Sequence, residues 1–123
     1  MQYDPYLHAE SLGIEVIERP IRTANGLWIP DHNLIVIKSG MRAIHKRTTL
    51  AHELGHACLG HRDDRPKHEV LADRFAATRL IDHDHLVELG GWIEHPSKFA
   101  EELGVTNRIL RVYLNMSGLA RAA

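Results

Sequence analysis

The spacing of hydrophobic and polar positions changes along the chain, from mainly strand-like segments to mainly helical ones. Residues 3–12 carry apolar side chains at helical spacing before Gly13, which predicts a short first helix ending there. The next three segments are short and rich in β-branched and aromatic residues. They predict three strands, at residues 14–18, 26–29 and 34–38. The last two form a hairpin that turns at residues 30–33.

The remainder of the chain has helical spacing interrupted by proline and glycine. Pro66, within the polar stretch 61–67, separates two helices, and Gly104 followed by the N-cap residue Thr106 separates two more. The four predicted helices are 42–59, 68–81, one from Pro96 to Gly104, and one from Thr106 to about Met116. Strands followed by helices predict an α+β fold. We expect one domain over residues 1–123, with the helix pair at about 96–116 as part of it.

Composition narrows the class of protein. The chain has 123 residues, is 44% hydrophobic and carries a formal net charge of −1, so no overall field favours nucleic acid or an anionic membrane. Cys58 is the only cysteine, which excludes a disulfide framework or a cysteine-based zinc ribbon within the chain. The polar, acidic start does not resemble a signal peptide, and no segment is apolar enough to span a membrane. A cytoplasmic protein is therefore expected.

The segment His52-Glu53-Leu54-Gly55-His56 carries the clearest chemical pattern. On a helix, two histidines four positions apart differ by about 40° in azimuth, so both can point at one metal ion. Glu53 lies about 100° from His52. It is therefore badly placed as a ligand but well placed as a general base for the attacking water. The spacing predicts a hydrolytic zinc site that needs a third protein ligand.

Glu69 is the preferred third ligand. It lies on the next predicted helix, one turn before Asp73, which could accept the ring N–H of a ligand histidine. His61 fits less well, because the metzincin pattern places its histidine one position later, at Arg62. His68 is the second choice. The predicted zinc ligands are therefore His52, His56 and Glu69, with Asp73 as their support.

The segment 49–56, followed by Glu69 and by Ala72-Asp73-Arg74-Phe75-Ala76-Ala77, resembles the ImmA/IrrE family of metallopeptidases. The resemblance covers most of the chain and implies a zincin-like fold. It also implies a bacterial or phage endopeptidase that cuts a helix-turn-helix repressor and relieves repression. One departure is in the last helix, where the family often has arginine before a leucine and this chain has Tyr113-Leu114.

Two other classes of protein remain open. Residues 98–114 have helix-turn-helix spacing and carry Arg108 and Arg111. Lys98 is offset by Glu101 and Glu102, and the whole chain is not basic, so contact with DNA is not the preferred interpretation. A zinc protein that acts as an anti-repressor without turnover is the other alternative. Four residues could stabilise the oxyanion, and the sequence does not choose among them: His61, His85, His95 and Tyr113.

The strand just before the motif helix is the expected substrate-binding element. Leu34, Ile35, Val36, Ile37 and Lys38 form a β-prone segment that would risk aggregation as an open edge. An edge strand can hold an extended peptide through main-chain hydrogen bonds. We therefore expect the substrate to lie along residues 34–38.

Overall fold

The computed structural model describes residues 2–90 and 95–118. Within these residues, three strands and six α-helices follow one another in an α+β arrangement, as the sequence predicts. The first half holds α1 (Pro5–Ser11), β1 (Glu15–Arg19), β2 (Gly26–Ile29), β3 (Leu34–Lys38) and α2 (Ala43–Cys58). The second half holds α3 (Pro66–Leu80), α4 (His83–Leu89), α5 (Pro96–Leu103) and α6 (Asn107–Ser117).

The three strands form one mixed sheet in the order β1-β3-β2. β2 and β3 are the predicted antiparallel hairpin, with Leu27 opposite Val36. A short 3-10 turn at Pro30–His32 and a left-handed Asn33 connect them. β1 pairs in parallel with β3 on the other side.

The prediction that β3 is an open edge is wrong. β3 lies in the middle of the sheet and is hydrogen-bonded on both sides. Ile35, Val36 and Ile37 are buried, while Leu34 and Lys38 at its ends are half-buried. The β-branched run that suggested an exposed, aggregation-prone edge instead marks a strand buried on both faces. Residues 34–38 therefore have no free main-chain edge with which to bind a substrate.

Helix α2 is the central element, because it contributes to two apolar clusters. Leu50 and Leu54 face the sheet and α1, while Ala51 faces the helices that follow. Gly55 brings α2 close to α3, since a Cβ there would lie 3.1 Å from both the Cα and the carbonyl oxygen of Ala72. The small residue permits an interhelical distance at which side chains of α3 can reach those of α2.

One helix begins earlier than predicted, and another was not predicted. α3 begins at Pro66, two residues before the predicted start, because proline is compatible with the first turn of a helix. α4 was not predicted, although Asp82 caps it by accepting hydrogen bonds from the N–H groups of Asp84 and His85. Among the described residues, no helix has both the length and the apolar composition needed to cross a lipid bilayer.

Candidate metal centre and catalytic cleft

Three potential ligand atoms meet where α2 faces the first turn of α3. Glu69 Oε2 lies 3.0 Å from His52 Nε2, and Glu69 Oε1 lies 3.0 Å from His56 Nε2. The ligand atoms of the three residues all lie within 4.8 Å of one another. The structure therefore brings together the residues predicted as ligands, and we call them the three-donor cluster.

The three-donor cluster fits a zinc ion. Two imidazole nitrogens and one carboxylate form a typical hydrolytic zinc donor set. Ligands about 2.0–2.1 Å from a tetrahedral zinc are about 3.3 Å apart. The two histidine–Glu69 distances of 3.0 Å are close to this value, and the set as a whole lies within 4.8 Å. Three protein donors also leave a coordination position free for chemistry.

Asp73 connects the three-donor cluster to the last helix. Its Oδ1 accepts a hydrogen bond from His52 Nδ1 at 2.8 Å, and Arg108 donates to both carboxylate oxygens, at 3.0 and 2.5 Å. Burial opposes ionisation of Asp73, but these two partners outweigh it and lower the pKa of the carboxyl. Since an ionised carboxylate only accepts, His52 carries a proton on Nδ1. Its Nε2 faces a second carboxylate, Glu69, and a metal bound there would take the place of the Nε2 proton.

Glu53 is a buried carboxylate beside the three-donor cluster. Its side chain is about one-tenth exposed, and its Oε2 lies 4.0 Å from His52 Nε2. Burial raises its pKa to about 7, although His52 and a hydrogen bond from the Trp28 backbone act in the opposite direction. A carboxylate with a pKa near 7 can both accept and return a proton at neutral pH.

Strand β2 supplies the wall beside Glu53. A Cβ at Gly26 would lie 2.6 Å from Thr49 Cγ2 and 3.0 Å from Glu53 Cγ, so glycine permits the strand to lie directly against α2. Neither Gly26 nor Trp28 was singled out from the sequence. A glycine inside a strand often marks such a close approach, so that signal was available.

The three-donor cluster and Glu53 open into a cleft of about 720 Å³. One wall comes from residues 24–28, another from the loop at 61–64, and a third from the start of α6. Arg108 belongs to the third wall. The sequence suggested only a DNA contact for it, because nothing local indicates that it pairs with Asp73, 35 positions earlier in the chain.

The other candidates occupy different places. His68 lies outside the three-donor cluster, with its Nδ1 2.7 Å from Asp63 Oδ1. The Tyr113 hydroxyl lies 2.9 Å from His83 Nδ1, so it already has a hydrogen-bond partner. Of the four possible oxyanion residues, His61 is the one that lines the cleft within the described part of the chain. Its ring contacts His56.

Comparison with known proteins places the chain in a family. The family model for the IrrE N-terminal-like domain, Peptidase_M78, matches residues 9–115. The chain therefore belongs to the ImmA/IrrE family of metallopeptidases, as its motifs suggested.

Two individual relatives support the same family. The radiation response metalloprotease IrrE of Deinococcus radiodurans is 42% identical over 52 residues, which cover 42% of this chain and 16% of that protein. The radiation response metalloprotease IrrE of Deinococcus deserti is 40% identical over 52 residues, covering 42% of this chain and 18% of that protein. The match thus spans less than a fifth of either relative.

Proposed function

We propose that the chain is a zinc-dependent endopeptidase in which the three-donor cluster holds the metal and Glu53 is the general base. The observation that carries this proposal is the placement of a buried, high-pKa carboxylate beside three converging ligand atoms at an open cleft. Family membership supports a metal and peptide hydrolysis. A structural metal site would need neither the free position nor the base.

The residues divide the chemistry among them. Bound zinc would act as a Lewis acid that polarises the scissile carbonyl and promotes ionisation of the attacking water. Glu53 would take a proton from that water and pass it to the leaving amine, which its pKa of about 7 permits. Asp73 accepts from His52 Nδ1, which would leave Nε2 free to bind the metal. The backbone of Trp28 favours the ionised form of Glu53 and so opposes the effect of burial on its pKa.

The structure suggests β2 as the substrate-binding edge. The N–H of Lys38 in β3 donates to the carbonyl of Asn25 at 2.8 Å. Along an antiparallel pair of strands, every second residue is hydrogen-bonded to the partner strand. Counting on from Asn25, Gly26 and Trp28 are therefore residues whose main-chain groups point away from β3. Outward main-chain groups of this strand could hold an extended peptide through hydrogen bonds. The substrate we propose, following the family resemblance, is a helix-turn-helix repressor.

The DNA-binding alternative is less well supported by the position of α6. Residues at the start of a recognition helix normally contact base edges. Here Thr106, Arg108 and Ile109 line the cleft, and Arg108 is paired with Asp73. The surface that would read DNA therefore forms part of the proposed peptidase site. A non-catalytic zinc protein is the alternative that an experiment must separate.

The test compares wild-type protein with Glu53→Gln, each loaded with zinc and incubated with helix-turn-helix repressors and with unstructured peptides. Both proteins should bind about one zinc per chain. Cleavage by the variant should be at least about 100-fold slower, because a general base contributes that much or more. Equal cleavage rates would exclude Glu53 as the base. Zinc binding without cleavage of any substrate by the wild type would favour the non-catalytic alternative.

A further inference from the structure

His56 has a hydrogen-bond partner that differs in kind from that of His52. Its Nδ1 lies 2.9 Å from the Nδ1 of His61, with the two rings inclined at 62°. His61 is only 6% exposed, so this contact is shielded from water. An imidazole thus occupies the place where a ligand histidine usually meets a carboxylate, a backbone carbonyl or water.

The turn that ends α2 places His61 on His56. Gly60 adopts a left-handed conformation at φ 73°, directly after the C-cap residue Leu59. Its N–H donates to the Ala57 carbonyl at 3.3 Å, and the N–H of His61 donates to the His56 carbonyl at 2.9 Å. This is the Schellman motif, in which the second residue after the cap returns to contact the third residue before it. Here that contact is between two imidazoles.

The hydrogen bond assigns the protons once His56 binds a metal through Nε2, the atom that faces Glu69. A neutral imidazole has one donor and one acceptor nitrogen. With Nε2 bound to metal, the proton of His56 must be on Nδ1, so His61 Nδ1 must accept it. His61 then carries its own proton on Nε2.

We infer that His61 is a positioning residue that fixes the tautomer and ring orientation of the metal ligand His56, an inference that rests on the proposed zinc site. His61 is itself held in place. Its ring stacks on that of His68, with 3.9 Å between the centroids and 7° between the planes, and His68 Nδ1 lies 2.7 Å from Asp63 Oδ1. His68, the second choice for the third zinc ligand, therefore supports His61, which in turn contacts the ligand His56.

Two substitutions separate hydrogen bonding from packing. His61→Leu keeps an apolar side chain of similar size but removes the acceptor, whereas His61→Asn is smaller but places an oxygen near the position of Nδ1. Zinc affinity, measured by competition with a chromophoric chelator, should fall about 10- to 100-fold in the leucine variant. The asparagine variant should retain affinity within a few-fold of wild type. His85→Leu, an exposed histidine on α4, is the matched control.

Ring nitrogens can also be observed directly in the wild-type protein. In the zinc-loaded form, long-range ¹H–¹⁵N spectra should show His56 protonated on Nδ1 and His61 protonated on Nε2 with a bare Nδ1. Wild-type zinc affinity in His61→Leu, a larger loss in His61→Asn than in His61→Leu, or a proton on His61 Nδ1 would overturn the inference. Failure of the wild type to bind zinc would instead reject the proposed site itself.

Discussion

The two ends of the motif in α2 are held by different parts of the chain. At the first end, His52 and Glu53 depend on groups distant in sequence: Asp73 on α3, Arg108 on α6, and Gly26 and Trp28 on β2. At the second end, His56 contacts His61, only five residues later, through the turn that ends its own helix. One end is held by tertiary packing and the other by a local cap.

This difference predicts how each end responds to change. The carboxylates of Glu53 and Asp73 at the first end are buried, so their ionisation is coupled to folding. A local cap depends mainly on backbone conformation. The following predictions test this division, beginning with the largest expected effect.

Glu53→Gln should stabilise the metal-free protein at neutral and alkaline pH. The folded state raises the pKa of Glu53 from 4.5 to about 7, so the unfolded state releases its proton first as the pH rises. The wild type therefore loses stability as the pH rises from about 4.5 to about 7, because burying the charged carboxylate is unfavourable. Glu53→Gln has no charge to bury and avoids this loss. The difference in unfolding free energy should be less than about 1 kcal/mol at pH 5 and about 3 kcal/mol at pH 8.

Urea denaturation in the presence of a chelator, at both pH values, measures this difference. Glu88→Gln, an exposed glutamate on α4, is the matched control and should change stability by less than about 0.5 kcal/mol. A difference between wild type and Glu53→Gln that stays constant from pH 5 to pH 8 would contradict the coupling of Glu53 to folding.

The same division explains what could be predicted from the sequence. Helical spacing was enough to pair His52 with His56 and to place Glu53 beside them, because those relations are local. Family motifs and an expected helix face suggested Glu69 and Asp73. The pairing of Arg108 with Asp73 and the central position of β3 depend on how distant segments pack, and local sequence does not encode the strand order. The β-prone composition of residues 34–38 fits a central strand as well as an edge.

Asp73→Asn should weaken zinc binding about tenfold, or by about 1.4 kcal/mol. Asparagine keeps the size of the side chain and an acceptor oxygen for His52, so the change mainly removes the negative charge shared with Arg108. Chelator competition measures the affinity, and Asp84→Asn on α4 is the control for loss of one carboxylate from an exposed site. Unchanged zinc affinity in Asp73→Asn would show that the negative charge of Asp73 does not help His52 to bind the metal.

Gly60→Ala should give the smallest effect and should act on the second end alone. Gly60 has a positive φ and a Cβ there would meet no atom within 4 Å, so alanine adds backbone strain without a steric clash. That strain should cost about 1 kcal/mol of unfolding free energy. It should also reduce zinc affinity by less than His61→Leu does, because the cap is weakened while His61 is retained.

Gly40→Ala is a close control for this last change, because Gly40 also has a positive φ and open space around it but lies before α2, away from the cap. Both alanine variants should lose similar stability in urea denaturation, since both carry the same kind of strain. Only Gly60→Ala should lower zinc affinity, and Gly60→Asn should recover part of it because asparagine tolerates the left-handed conformation. If the Gly40 and Gly60 variants bound zinc equally well, the local turn would not control His56, and the contrast between the two ends of the motif would not hold.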